Sequence, residues 1–131
     1  GEGHGSGYLV DADGTVVTNC HVIAGATKAT AFFADKASFE VEGTYLIDPK
    51  RDIAVIKIAP PGNRPALQIA SQLPRKGDSV TAIGAPHGLD FSITRGIVSA
   101  VRTSEQMKEF GLDDHLGTWL QVDAAISPGN S

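Results

Sequence analysis

The sequence predicts an all-β fold, and three observations support this class. Short runs rich in β-branched and aromatic residues alternate with turn residues along most of the chain. Glycine is abundant, with 15 residues among 131, which suits a chain with many turns and close backbone approaches. Only "SEQMKEFG", residues 104–111, has the end signals of a helix, with Ser104 as its cap and Gly111 as its stop.

The first half of the chain contains about six predicted strands. "GYLVD" and "TVVTN" flank "DADG", in which Asp13-Gly14 predicts a hairpin turn. "KATAFFA" and "SFEVEGTYLID" follow, and in the second Phe39 and Val41 fall on one face with two glutamates on the other. "DIAVIKIA" is apolar on both faces, which is typical of a strand inside a closed barrel.

A Pro- and Gly-rich stretch at residues 60–78 separates this half from a second set of strands, "SVTAIGAP", "FSITRGIVSAVRT" and "WLQVDA". We therefore divide the chain into a first β-barrel at 1–59, a connection at 60–78, and the first part of a second barrel at 79–131. Three strands leave two unpaired edges and half a core. The second barrel is accordingly expected to be incomplete.

Composition and charge limit the partners and the setting that the sequence supports. The net charge is −4 and the positive residues form no stripe, which argues against a nucleic-acid partner. No apolar stretch in the sequence approaches the length of a membrane span. Cys20 is the only cysteine, so an intrachain disulfide cannot form. No signal peptide is visible, and the sequence leaves the compartment unknown.

The sequence gives little support for a metal ion or a cofactor, and we expect neither. The four histidines are well separated and show no metal-ligand spacing. "DADG" lacks the other carboxylates of an EF-hand loop. "GEGHGSG" lacks the Lys-Ser/Thr pair and the strand-to-helix transition of a phosphate-binding loop.

The most informative constellation is His21, Asp52 and Ser131, in that chain order. Catalysis by a hydroxyl nucleophile needs a base, a carboxylate that orients the base, and donors for the oxyanion. Each residue also has an ordinary structural interpretation. His21 would then be a polar residue at a strand end, Asp52 a turn residue, and Ser131 a terminal residue without a role.

Three ordered motifs carry a resemblance to a known family. "GSGYLVDADGTVVTNCHVIAGA" contains the histidine, "DPKRDIAVIKI" the aspartate, and "LQVDAAISPGNS" the serine, while "TAIGAPHGLDFSITRGIVSAVR" lies between the last two. Together they resemble the trypsin-like serine proteases, specifically the HtrA/Deg family, over nearly the whole chain. The resemblance implies a chymotrypsin-like double β-barrel within a single, incomplete protease domain, with the sequence cut at the serine before the Gly-Gly-Pro expected to follow.

The resemblance implies a role for each residue of the constellation. Ser131 would attack a peptide carbonyl, His21 would accept its proton, and Asp52 would orient the imidazole and stabilise the imidazolium. The backbone N–H groups of Gly129 and Ser131 would form the oxyanion hole. Asn130 is neutral, so it cannot form the ion pair with a freshly cut N-terminus that activates the digestive relatives.

The resemblance also implies expectations about substrates and partners. Ala125 and Ile126 would line the primary pocket, which favours a small or aliphatic residue at the cleaved position. Protein or peptide substrates, a trimer-like assembly, PDZ modules, no cofactor, and a periplasmic or otherwise exported location are typical of the family.

Two further expectations concern the activity itself. The 131-residue chain alone is expected to be inactive, because a terminal serine is not held in a preorganised geometry. The first alternative function is a non-catalytic module with this fold that binds peptides or partner proteins. The second is an unrelated all-β barrel in which the triad arises by chance.

Overall fold

The computed structural model describes residues 3–87, 90–109, 111 and 117–125. Within these residues the fold consists mainly of antiparallel strands, and the predicted all-β class is confirmed. The elements in chain order are β1 (Gly7–Leu9), β2 (Thr15–Thr18), α1 (Cys20–Ile23), β3 (Thr30–Phe32), β4 (Ser38–Glu40), β5 (Gly43–Asp48), β6 (Ile53–Lys57), β7 (Ser79–His87), β8 (Asp90–Arg102), α2 (Ser104–Glu109) and β9 (Trp119–Val122).

The first six strands form a four-stranded sheet, in the order β1-β2-β6-β5, and a two-stranded sheet of β3 and β4. β1 and β2 are antiparallel neighbours, as the hairpin prediction required. The two sheets meet where the Val41 N–H donates to the Ala29 carbonyl (2.9 Å) and the Glu42 N–H donates to the Lys57 carbonyl (2.7 Å). Among the described residues the strands do not close into a barrel, and β3 and β4 are each three residues long.

The core of this half is a cluster of buried aliphatic side chains from β1, β2, β6 and the residue after it: Leu9, Val16, Ile56 and Ile58. Phe39 and Val41 pack against this cluster, which confirms the face predicted from their alternation. The prediction that β6 is buried on both faces is wrong. Ala54 on the inner face is fully buried, whereas on the outer face Ile53 is 36% exposed and Val55 is half-buried.

Residues 60–78 contain no helix or strand, and they are fastened to the first half through Arg64. Its guanidinium lies 5.0 Å from the centre of the Phe33 ring. Its Nη2 atom also donates to Asp35 Oδ2 at 2.7 Å. The half-buried Arg64 side chain, through its cation–π contact and its ion pair, holds residues 60–78 against the β3–β4 hairpin.

The second half contains the three-stranded antiparallel sheet β7-β8-β9. Ser6 links the two halves, because its Oγ accepts the Ala85 N–H of β7 at 3.0 Å and its carbonyl accepts the Thr18 hydroxyl of β2 at 2.8 Å. None of the helices in the described ranges has the length and apolar character that a membrane span requires.

The helix α2 is present where the sequence predicted it, but its N-terminal cap is Thr103 and not Ser104. The Thr103 hydroxyl accepts the Gln106 N–H, and the Gln106 side chain accepts the Thr103 N–H, which is a capping box. Ser104 instead exchanges hydrogen bonds with the backbone of Gly117. Gly111 has φ +80 and its N–H donates to the Lys108 carbonyl, as expected for a helix stop.

Candidate active site

His21 lies in α1, a four-residue helix directly after β2 that the sequence did not predict. Asn19 precedes this helix in an extended conformation, with φ −82 and ψ 145. One backbone bond, from the Ala24 N–H to the Cys20 carbonyl (3.0 Å), closes the single turn. The side chain of His21 is 56% exposed.

Asp52 ends a tight turn between β5 and β6. The Arg51 N–H and guanidinium both donate to the Asp48 carboxylate, at 3.2 and 3.0 Å. The Asp52 N–H donates to the Pro49 carbonyl at 3.3 Å. Asp52 itself has φ +54, a left-handed conformation that Asp and Asn tolerate better than most residues. The turn therefore fixes the direction in which the Asp52 side chain leaves the backbone.

His21 and Asp52 contact each other through both carboxylate oxygens. His21 Nδ1 lies 2.6 Å from Asp52 Oδ2, and the His21 N–H donates to Asp52 Oδ1 at 2.9 Å. The structure thus brings these two predicted residues within hydrogen-bond reach, although 31 positions separate them in the sequence. Such a short contact between an imidazole and a carboxylate is typical of charge-assisted hydrogen bonds.

This arrangement lets His21 act as a proton acceptor. When Nδ1 donates to the carboxylate, Nε2 is the ring nitrogen with a free lone pair. The carboxylate fixes the orientation of the ring. The pair can therefore take a proton from a hydroxyl or a water molecule placed at Nε2.

The segment that follows β9 is held against β8 by three hydrogen bonds. Asp123 Oδ1 accepts the Ile97 N–H at 2.7 Å, and the Asp123 N–H donates to the Ile97 carbonyl at 3.2 Å. The Thr94 hydroxyl donates to the carbonyl of Ala125 at 2.7 Å. Ala125, the first of the two predicted pocket residues, is thereby anchored to β8 and is exposed.

The other residues predicted from the sequence, Ile126, Gly129, Asn130 and Ser131, lie outside the described residues. Two residues whose side chains form hydrogen bonds around the Asp52 turn were not predicted. The first is Asp48, whose place at the start of an Asp-Pro turn is a usable signal. The second is Asn19, whose contact with Asp52 has no signal in the local sequence.

Replacement of Asp48 by Asn should destabilise the turn in a pH-dependent way. The hydrogen bonds from the side chain and the backbone of Arg51 hold the pKa of Asp48 below its ordinary value of 3.8. A lowered folded-state pKa stabilises the protein above the unfolded-state value, and this contribution disappears as the pH falls through the folded-state pKa. Asp48→Asn should therefore lower the Tm at pH 7, and the difference from the wild type should shrink below pH 3.8.

Thermal unfolding of the full-length protein between pH 7 and pH 3 would measure this effect. Glu42→Gln is the control, since it removes an equal charge from an exposed side chain in the same half of the chain. Its Tm should follow that of the wild type throughout. A Tm difference for Asp48→Asn that is constant over the whole pH range would contradict the assignment.

Comparison with known families places this geometry in context. The family model described as the trypsin-like peptidase domain matches residues 5–131. Among solved structures, an HtrA-type protease, AlgW with a decapeptide, superimposes with a TM-score of 0.82 at 37% sequence identity. The match covers 97% of this chain and 37% of the AlgW chain.

Curated relatives include proteases from bacteria and plants. The periplasmic serine endoprotease DegP of Escherichia coli strain K12 is 42% identical over 130 residues, covering 97% of this chain and 26% of DegP. Protease Do-like 1, chloroplastic, of Arabidopsis thaliana is 37% identical over 132 residues, covering 99% of this chain and 29% of that protein. The chain spans about a third or less of the length of the curated relatives it matches.

Proposed function

This chain belongs to the trypsin-like peptidase family, in its HtrA/Deg branch, and from that premise we propose that the full-length protein is a serine endopeptidase that hydrolyses peptide bonds in misfolded proteins. The observation that carries the proposal is the 2.6 Å contact between His21 Nδ1 and Asp52 Oδ2. A module that only binds peptides has no need for an imidazole oriented in this way.

The proposed reaction begins with attack by Ser131. Its Oγ forms a bond to the carbonyl carbon of the substrate while its proton passes to His21 Nε2. The tetrahedral intermediate then collapses, the carbon–nitrogen bond breaks, and the imidazolium gives the same proton to the leaving amine. The product of this half-reaction is an ester between Ser131 and the acyl part of the substrate.

Water completes the proposed cycle. It attacks the ester carbonyl as His21 takes one of its protons, and the proton then returns to Ser131 Oγ as the acid leaves. Asp52 keeps its charge throughout and stabilises the imidazolium in both halves of the reaction. We assign the oxyanion hole to the backbone N–H groups of Gly129 and Ser131, because a glycine at this position lets its peptide turn toward the cleft.

We further propose that the primary pocket accepts a small or aliphatic side chain. Ala125 and Ile126 are uncharged, so they offer no partner to Lys or Arg at the cleaved position. The hydrogen bond from Thr94 to the Ala125 carbonyl (2.7 Å) supports a fixed wall at this point. By family, we propose a trimer-like assembly and PDZ modules for the full-length protein, and Asn130 indicates regulation other than by N-terminal insertion.

Hydrolysis of unfolded casein by the full-length protein tests the proposal. The wild type should cleave casein. Ser131→Ala should abolish cleavage, because it removes the hydroxyl that is proposed to attack the substrate. Ser127→Ala, in the same loop of the sequence, is the matched control and should retain activity. Equal cleavage by the wild type and Ser131→Ala would rule out the proposed nucleophile. Absence of cleavage by the wild type would favour the non-catalytic alternative.

The isolated 131-residue chain provides a second arm of the same assay. We expect it to leave casein intact, since catalysis depends on groups held in a preorganised geometry and a terminal serine is not held in this way. Serine-dependent cleavage by this chain alone would overturn that expectation.

A further inference from the structure

The side chain of Asn19 makes an unusual contact for a residue at the start of a helix. Asn at this position normally caps the helix by accepting a backbone N–H with its side-chain oxygen. Here the side chain makes no capping bond to α1. Its Nδ2 instead donates to the backbone carbonyl of Asp52 at 3.0 Å, across 33 positions of the sequence.

The Asp52 carbonyl therefore has two donors from the same segment, since the Cys20 N–H also donates to it at 3.2 Å. Three successive residues, at positions 19 to 21, bind Asp52 through its carbonyl and its carboxylate. The carbonyl contacts hold the backbone, and the contacts of His21 hold the side chain.

The backbone at Asp52 needs such support. Its φ of +54 is a left-handed conformation that costs free energy in any residue with a Cβ atom, although less in Asp than in most, and surrounding contacts offset this cost. If the Asp52 backbone rotated, its carboxylate could not contact His21 Nδ1 and accept the His21 N–H at the same time. The geometry of the pair thus depends on the carbonyl as well as on the carboxylate.

We propose that Asn19 is a positioning residue of the His21–Asp52 pair, and this proposal rests on the proposed function of that pair. Its amide fixes the Asp52 carbonyl, and through it the direction of the carboxylate. Asn19 does not touch substrate, and its effect on the reaction passes entirely through Asp52.

Two substitutions separate this role from helix capping. Asn19→Ser and Asn19→Asp keep a side-chain oxygen that caps a helix well, but neither places a donor on the Asp52 carbonyl. Ionised aspartate has no donor, and the serine hydroxyl ends one bond closer to the backbone than the amide it replaces. If Asn19 acted as a cap, both variants would retain full activity. If it positions Asp52, both should lose activity, and Asp more than Ser because its carboxylate faces the carbonyl oxygen.

Peptide hydrolysis by the full-length protein would measure the effect. Loss of one hydrogen bond corresponds to about a tenfold fall in kcat/KM, and we expect Asn19→Ser to show it mainly in kcat. In an Asp52→Asn background the same substitution should have less than about a twofold effect, because the path through the carboxylate is already lost. An equal fall in both backgrounds, or full activity of Asn19→Ser, would overturn the proposal.

The His21 Nδ1 proton gives a readout that needs no turnover. In full-length protein labelled with ¹⁵N-histidine, this proton should resonate far downfield in the wild type and move upfield in Asn19→Ser. An unchanged resonance would overturn the positioning role even if the protein proved not to be a peptidase. Conversely, a wild type that shows the resonance but hydrolyses no peptide would overturn the proposed function and leave the positioning role supported.

Discussion

Asp52→Asn should lower kcat by about 10⁴-fold, the scale seen when the aspartate of a Ser-His-Asp triad is replaced by its amide. The amide has the shape of the carboxylate and tolerates the left-handed backbone at this position. Its NH₂ group, however, would face His21 Nδ1, which must then act as an acceptor. The ring proton should then sit on Nε2, and His21 could no longer accept a proton from Ser131, the proposed nucleophile.

Peptide hydrolysis by the full-length protein would measure this effect, with unfolding monitored in parallel. Asp13→Asn is the matched control, because it makes the same chemical change in the β1–β2 turn, where Asn-Gly is as favourable as Asp-Gly. This control should keep wild-type activity. A fall of less than about tenfold for Asp52→Asn, with the fold intact, would show that the carboxylate does not assist His21.

Gly96→Ala should destabilise the fold. A Cβ atom at Gly96 would lie 2.2 Å from Asp123 Oδ1 and 2.6 Å from the Ala124 backbone nitrogen, which are separations that folded proteins do not tolerate. The segment after β9 must therefore move away from β8 and lose the hydrogen bonds between Asp123 and Ile97. Overpacking of this kind costs about 1–3 kcal/mol.

The same displacement should reduce activity, because the segment at 123–125 leads directly into the predicted serine loop. Urea unfolding and peptide hydrolysis would follow the two effects. Gly43→Ala is the control, since Gly43 lies in β5 and a Cβ there meets nothing within 4 Å. It should leave stability within about 0.5 kcal/mol. Equal stabilities for the two variants would contradict the close approach at Gly96.

The strand pattern of this chain was predictable because local chemistry determines most of it. The alternation that places Phe39 and Val41 on one face survives in the folded core. The Asp13-Gly14 turn likewise forms the first hairpin. In both cases the conformation that the local sequence favours is also the one that the folded structure requires.

Other features depend on contacts between distant residues, and the local sequence does not encode them. α1 is four residues long, too short to form without tertiary support, and its residues after Cys20 include the β-branched Val22 and Ile23. β6 is fully buried on one face and partly exposed on the other, and this difference depends on which residues cover each face. The meeting of His21 and Asp52 was predicted from chain order and family resemblance, whereas the part played by Asn19 required the fold.

Labelling with a fluorophosphonate probe tests the central claim most directly, because the probe reacts with a serine hydroxyl only when a neighbouring base activates it. In the full-length wild-type protein, peptide mapping should find the adduct on Ser131. His21→Ala should remove the labelling, and Asp52→Asn should slow it strongly. Absence of labelling in the folded wild type, or an adduct that persists on another serine in Ser131→Ala, would contradict the account.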